Sequence, residues 1–287
     1  MAITFGLLAA ILWGIADYLA RFSARGLGAW RSSFYGQLPG CLIFSLCLAL
    51  VPVMRQPALA APHFYWWLAL LAAAGSTFAG FAMVRGLIAG ALSLVVPVVA
   101  SYGAIATALA VATGEHLAPA SAAGIALTVL GIALAAMRRR GTQRETPHGT
   151  AGIGWAILAA FGYGAALWLQ GRFVMPHLGP VAPLWIGSLC SLAVTLTITQ
   201  IRRHRLTPPP LRLLPFTWGY GTLTAFAYLS MAFGLMTGKV AIVAVLSSLC
   251  STITALMGFL LLKERLAPLQ WIGVALILLG VLLINLR

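Results

Sequence analysis

The chain has 287 residues, of which 61% are hydrophobic and 8% charged, and its mean hydropathy is +0.99. A water-facing globule carries about 25% charged residues, so a soluble domain is excluded and lipid is the implied solvent. The net charge of +14 sits in short segments between apolar runs, such as Arg138-Arg139-Arg140 and Arg202-Arg203-His204-Arg205. Charge placed that way flanks a membrane, and no basic stripe for nucleic acid is present.

A helix needs about 20 apolar residues to cross the hydrocarbon core. Runs of that length lie at 2–20, 32–51, 64–84, 91–111, 119–137, 151–170, 182–201, 215–235, 240–262 and 268–286. The expected fold is therefore an all-α polytopic membrane protein with ten transmembrane helices. The runs are continuous and lack the alternation of barrel strands. The first run has no basic segment ahead of it, and its arginines follow it, so it reads as a span and not a signal peptide.

Taken in chain order, the first run carries Trp13 and Asp17, one turn apart on a common face, with Asp17 the one acidic residue inside any run. A carboxylate in a membrane is costly and usually functional. Asp17 is thus a candidate proton carrier or partner for a solute amine; with Arg21 one turn on, it also fits half of an interfacial ion pair. Tyr18 and, in the sixth run, Trp168 read as interface-belt aromatics. Gly36-x3-Gly40, Gly86-x3-Gly90 and Gly234-x3-Gly238 permit close backbone approach or hinging. Pro97 is expected to kink the fourth span, and Tyr102 and Tyr228 place hydroxyls mid-span in the fourth and eighth. Ser247, Ser251 and Thr254 form a polar stripe in the ninth, suited to interhelical hydrogen bonds or to a cavity wall. Cys41, Cys47, Cys190 and Cys250 all lie in apolar runs and read as packing residues.

The sequence repeats itself. Residues 115–134, beginning Glu115-His116-Leu117-Ala118-Pro119, match 264–283, beginning Glu264-Arg265-Leu266-Ala267-Pro268, at 10 of 20 positions and an offset of 149. Phe78, Ala79, Met83, Gly86, Leu87 and Gly90 recur at an offset of 148 as Phe226, Ala227, Met231, Gly234, Leu235 and Gly238. At an offset of 150, Trp13-Gly14 faces Tyr163-Gly164. The organisation expected is a five-helix repeat over 1–140, a basic linker at 141–150 and a second repeat over 151–287. Five spans per repeat force the second to enter the membrane upside down, the arrangement of secondary transporters with a midplane site. Trp13 and Tyr163, related by that symmetry, are candidates to clamp an apolar or cationic group. Glu115 and Glu264 precede a proline at the start of a helix, where a carboxylate suits the positive end of the dipole, and they read as caps of the fifth and tenth helices.

The aromatic-Gly pairs, the turns Gly114-Glu115-His116-Leu117-Ala118-Pro119 and Lys263-Glu264-Arg265-Leu266-Ala267-Pro268, and the five-plus-five plan resemble the EamA branch of the drug/metabolite transporter superfamily. The resemblance implies an exporter of amino acids, other metabolites or drugs, with no ATPase domain. It also implies a cavity lined by helices 1, 3, 4, 6, 8 and 9, with 5 and 10 peripheral. Substrate-binding candidates are Trp13, Asp17, Tyr102, Tyr163 and Tyr228. The partners expected are a small-molecule solute, membrane lipids and a proton as coupling ion, with no cofactor, metal or nucleic acid. A lipid or lipid-linked-sugar flippase on the same scaffold is the alternative. An enzyme is not expected, since HExxH, GxSxG and P-loop patterns are absent and the five histidines are scattered.

The odd-numbered loops hold 14 of the Lys and Arg residues, the even loops and termini 4. Basic loops stay cytoplasmic, which puts both termini outside, whereas members of the resembled family are usually described with both inside. The excess of Arg over Lys fits a bacterial origin, and the expected location is the cytoplasmic membrane of a bacterium.

Overall fold

The computed structural model describes residues 1–89, 98–99, 101–136, 152–201, 206–250, 252–253, 257 and 268–285. It is 87% helical, with no strand among the described residues. The helices are α1 (Ala2–Leu27), α2 (Ala29–Leu50), α3 (Pro52–Ala60), α4 (His63–Ala89), α5 (Tyr102–Ala112) and α6 (Pro119–Ala136) in the first half. The second half has α7 (Ile153–Leu169), α8 (Ala182–Ile201), α9 (Leu214–Leu235), α10 (Val240–Ser247) and α11 (Pro268–Asn285). Beyond Leu169, α7 runs on through a π-turn at Gln170–Val174 and a last α-turn at Met175–Leu178.

Five stretches are long and apolar enough to cross a membrane: Ala2–Leu27, Trp30–Leu50, His63–Gly86, Ile153–Leu178 and Ala182–Ile201. Tyr102–Ala112, Pro119–Gly131 and Trp271–Gly280 are apolar but shorter. α9 is long, yet Thr217, Tyr220, Thr222, Thr224, Tyr228 and Ser230 make it too polar to join the five. Much of the expected spans at 91–111 and 240–262, with Gly90, Pro97, Ser251, Thr254 and Glu264, lies outside the described residues.

The distribution of side-chain size is that of a bundle in lipid. Fully buried positions are dominated by alanine, including Ala9, Ala10, Ala79, Ala106, Ala159 and Ala227, all at 0% exposure. Large apolar residues such as Trp67, Phe64, Leu71, Ile157, Phe161 and Leu278 face outward. Where the solvent is as apolar as leucine, burial of large side chains gives no driving force, and close approach of small ones holds helices together. The chain is a multi-pass integral membrane protein.

Two boundaries differ from the sequence expectation. The first helix does not stop at residue 20 but continues to Leu27, carrying Arg21 and Arg25 on its backbone. Asp17 is consequently near the middle of α1 rather than at its end. The short helix α3 is unanticipated; its Pro52 occupies the first helical position, where the missing N–H costs nothing.

Most packing joins the two halves of the chain. α1 packs along α9 and against α10 and α2, while α7 packs along α4 and against α5. α2 also meets α9, as α8 meets α4; α5 meets α10, and α2 meets α8. Two groups can be traced, α1/α2/α9/α10 and α4/α5/α7/α8, each drawing helices from both halves and joined to the other through α5–α10 and α2–α8. α6 and α11 pair chiefly with each other, apart from the rest.

The closest approaches come in pairs. A Cβ added at Gly14 of α1 would meet Ile253 and the Cys250 carbonyl, and one at Gly164 of α7 would meet Ile105 and the Tyr102 carbonyl. A Cβ at Gly131 would lie 2.7 Å from the Gly273 carbonyl oxygen, and at Gly280 it would lie 2.6 Å from that of Gly124. Each contact has its counterpart 148 to 150 residues further along the sequence.

One end of the bundle gathers the N-terminus of α1, the C-termini of α7 and α9 and the N-terminus of α10. There Gly6 approaches Leu246, Ser230 donates to the Phe5 carbonyl at 2.8 Å, and Gly171 approaches Val240. α1 and α7 therefore run in opposite senses. At the far end Ser32 donates to Ser23 at 2.8 Å, Ser23 and Thr217 share a 2.7 Å hydrogen bond, and Arg31 donates to the Thr207 carbonyl at 2.7 Å.

Candidate functional site

The five residues singled out from the sequence meet at one place between the two groups of helices. Trp13 on α1 stands edge-to-face on Tyr228 of α9, with ring centroids 5.0 Å apart and an interplanar angle of 87°. Across from this pair, Tyr102 at the start of α5 and Tyr163 of α7 form a second T-shaped contact, at 6.4 Å and 65°. Tyr163 and Tyr228 are near enough to interact electrostatically, which links the two pairs. The Asp17 carboxylate acts electrostatically on the hydroxyls of both Tyr228 and Tyr102.

The site is open to small molecules although it is deep. Tyr228 lies among neighbours on every side, yet 40% of its surface is exposed. Asp17 is exposed as well, one turn from the half-buried Trp13. Backbone architecture sets this up: Gly14, next to Trp13, lets α1 approach α10 and its continuation, and Gly164, next to Tyr163, lets α7 approach α5.

Two further polar groups complete the wall. The Tyr102 hydroxyl hydrogen-bonds Ser247, itself buried and donating to the Ala244 carbonyl at 3.0 Å. The Cys250 thiol interacts with Tyr102 and Tyr228, so it borders the site rather than serving only as packing. Sequence reasoning missed it, although the offset of 148 makes Cys250 the counterpart of Tyr102.

Toward the Met1 end the site is sealed. Met175, Leu235, Val240, Val243 and Leu246 share one core there, at 0–1% exposure. Thr107 of α5 donates to the Ala241 carbonyl at 3.3 Å, and a Cβ at Gly103 would lie 3.1 Å from the Ala244 carbonyl oxygen. Glu115 fastens this seal. The backbone N–H of Ala241 donates to both of its carboxylate oxygens at 3.2 Å.

Glu115 is thus a helix cap, as its sequence context suggested, but of α10 in the other half of the chain and not of α6, which follows it. Ala241 is the second residue of α10, where an orphan N–H needs an acceptor. Burial pushes the Glu115 carboxyl above its ordinary value, while the Ala241 and Val240 amides and the Arg172 and Lys239 charges act the other way. Arg172, in the π-turn, also donates to the Thr113 carbonyl at 3.3 Å, and Trp168 donates to the Thr113 hydroxyl at 3.1 Å. Trp168, read from the sequence as an interface-belt aromatic, belongs to this cluster.

The other candidates are elsewhere. Gly36 approaches Tyr220 and Gly221 where α2 crosses α9. Gly238, with φ of 76°, forms the left-handed turn between α9 and α10. Tyr18 packs edge-to-face on Phe22. His177 stacks on Tyr65 at 3.7 Å, and among the described residues no cluster of His, Cys, Asp or Glu could hold a metal ion.

Residues 150–286 match the EamA-like transporter family. That half of the chain is EamA-like. The match supports the resemblance to the EamA branch of the drug/metabolite transporter superfamily, a family that suggests membrane transport of small solutes and is generally non-enzymatic. A solved structure described as "Crystal structure of protein" superposes with a TM-score of 0.80 at 20% identity, covering 99% of this chain and 96% of that one. At that identity the likeness speaks for the fold alone. No curated protein matches the chain.

Proposed function

We propose that the chain is a secondary transporter, an exporter of a small organic solute such as an amino acid, a related metabolite or a drug. It works by alternating access of two inverted five-helix repeats, 1–140 and 151–287, joined by a basic linker at 141–150 and together crossing the membrane ten times. One observation carries this reading: a partly exposed aromatic site lies between two groups of helices that pack closely against each other at the Met1 end. Paired contacts 148–150 residues apart, made by helices running in opposite senses, support the inverted repeat. Two half-bundles of similar sequence can pack in two nearly equivalent ways, and the second would open the Met1 end and seal the other.

In this reading Trp13 and Tyr228 on one side, and Tyr163 and Tyr102 on the other, hold the solute, and Asp17 binds a proton or the solute's amine. The far end carries most of the basic residues and faces the cytoplasm of a bacterial cell, with both chain termini outside. In this reading a site closed at the outer end loads its solute from the cytoplasm, as an exporter does.

The test is a stability screen of the purified chain in detergent against amino acids, nucleosides, sugars, polyamines, cationic drugs and polyprenyl phosphates. A ligand at about 100 times its dissociation constant stabilises the fold by roughly 2.7 kcal/mol. A soluble class that raises Tm in the parent but not in Trp13→Ala or Tyr163→Ala is the expected result. Stabilisation by polyprenyl phosphate alone, unaffected by those changes, would contradict it and point to lipid flipping.

A further inference from the structure

α1 and α7 hold matching places in the two halves, and their registers part at one point. As far as Tyr18 and Trp168 the offset is 150: Ala10, Gly14 and Ala16 are buried, and so are Ala160, Gly164 and Ala166. Further on it is 151. Ser23 and Leu27 are buried with Arg25 and Gly26 exposed between them, as Val174 and Leu178 are buried with Pro176 and His177 exposed between them. Each helix then ends on a glycine of positive φ, 80° at Gly28 and 74° at Gly179. The N–H of Gly28 donates to the Ala24 carbonyl and that of Gly179 to the Met175 carbonyl, both at 2.9 Å.

α7 therefore holds one residue more than α1, and it falls where α7 departs from α geometry. The turn Gln170–Val174 is a π-turn, closed by the Met175 N–H on the Gln170 carbonyl five residues back, whereas α1 is α-helical throughout Ala2–Leu27. An inserted residue widens one turn and leaves the helix on either side in its former register; single π-turns of this kind recur at functional points. A helix bends most readily where its i→i+4 ladder is interrupted.

The interruption lies on the seam between the two groups of helices. A Cβ added at Gly171 would lie 2.8 Å from Val240 of α10 and 3.0 Å from Leu235 of α9. Arg172 holds the Thr113 carbonyl, two residues from the carboxylate of Glu115 that caps α10. Beyond the π-turn, Val174 and Leu178 share a core with Ala58 of α3 and Ala182 of α8, so the last turn of α7 forms one unit with those two elements. The π-turn joins that unit to the body of α7.

Resting on the alternating-access reading above, we propose that the π-turn of α7 is the hinge of the Met1-end gate. The unit beyond it swings away from α9 and α10, carrying Gly171 off Val240. The two gates of the protein are then unequal, because the matching stretch of α1 has no extra residue and moves as an unbroken helix.

Deletion of Gln170 gives α7 the register of α1 and tests the hinge. It is made in the full chain with the four cysteines replaced and Val243→Cys added, so that labelling by a membrane-impermeant thiol reagent from the Met1-end face reports opening. The expected result is a Tm no lower than the parent's and labelling at least about tenfold slower, since opening must precede reaction at a buried thiol. Labelling at the parent rate with Tm retained would overturn the hinge and leave alternating access standing. A parent that is never labelled from that face would overturn both. If the deletion lowers Tm, hydrogen exchange in the unmodified chain decides. The amides of Gly171–Met175 are expected to exchange at least about tenfold faster than those of Ala20–Ala24, and equal protection of the two stretches would overturn the hinge.

Discussion

The Met1 end of the bundle and the aromatic site one or two helical turns away are built from the same helices and could hardly differ more. At the Met1 end, α9 and α10 bury Leu235, Val240 and Val243 in one core, with no more than 1% of any of these side chains exposed. At the site, Tyr228 of the same α9 keeps 40% of its surface open and Asp17 is exposed. The difference lies in residue choice. The sealed end uses small and branched apolar side chains that let α10 be buried on every side, whereas the site uses large aromatics whose rings meet edge to face and leave space between them.

The largest effect that could break this contrast lies in the site. Trp13→Ala removes one wall of a ring corner and should weaken solute binding by more than about tenfold, as loss of a desolvated aromatic anchor does; calorimetry or a Tm titration checks it. Next comes the symmetry of the packing. Gly164→Val places a Cβ about where the Tyr102 carbonyl and Ile105 already are, and Gly14→Val does the same against Ile253. Overpacking of this kind typically costs about 1–3 kcal/mol, so both variants should lower Tm, and by similar amounts if the two contacts are true counterparts.

A smaller effect is expected at the seal. Glu115→Ala leaves the Ala241 N–H without its acceptor, which typically costs about 1 kcal/mol for a capping residue. It should speed labelling of a thiol introduced by Val243→Cys. Smallest of all is the response to pH. Because burial raises the Glu115 carboxyl above its ordinary value in the sealed state, the sealed state holds that proton more tightly than a solvated end would. Its stability from this group is therefore full below the ordinary carboxylate value and declines as pH rises through the raised one. The decline is expected as a slight fall in Tm that Glu115→Gln abolishes.

Much of this was legible in the sequence, for definite reasons. Lipid as solvent leaves long apolar runs, and duplication leaves matched residues, so the membrane class and the pairing of Trp13-Gly14 with Tyr163-Gly164 could be read directly. The end of α1 could not: a hydropathy run stops at Arg21, while the helix continues through Arg21 and Arg25 to Leu27. Nor could the partner of Glu115. A cap is usually sought within its own helix, and here the acceptor lies 126 residues from the donor it serves. Cys250 was hidden for a similar reason, since a lone thiol in an apolar run looks like packing until its counterpart Tyr102 is found beside it. Contacts between distant segments are set by how the two halves interlock, and no local pattern encodes that.

The most direct measurement uses a variant in which Cys41, Cys47, Cys190 and Cys250 are replaced and a single thiol is introduced by Tyr228→Cys or by Val243→Cys. A membrane-impermeant thiol reagent is applied to each face of oriented vesicles without solute. The expected result is labelling by Tyr228→Cys from the far-end face at least about ten times faster than by Val243→Cys from either face, as local opening must precede reaction at a buried site. Equal reactivity at the two positions would contradict a site that is open on one side and sealed on the other.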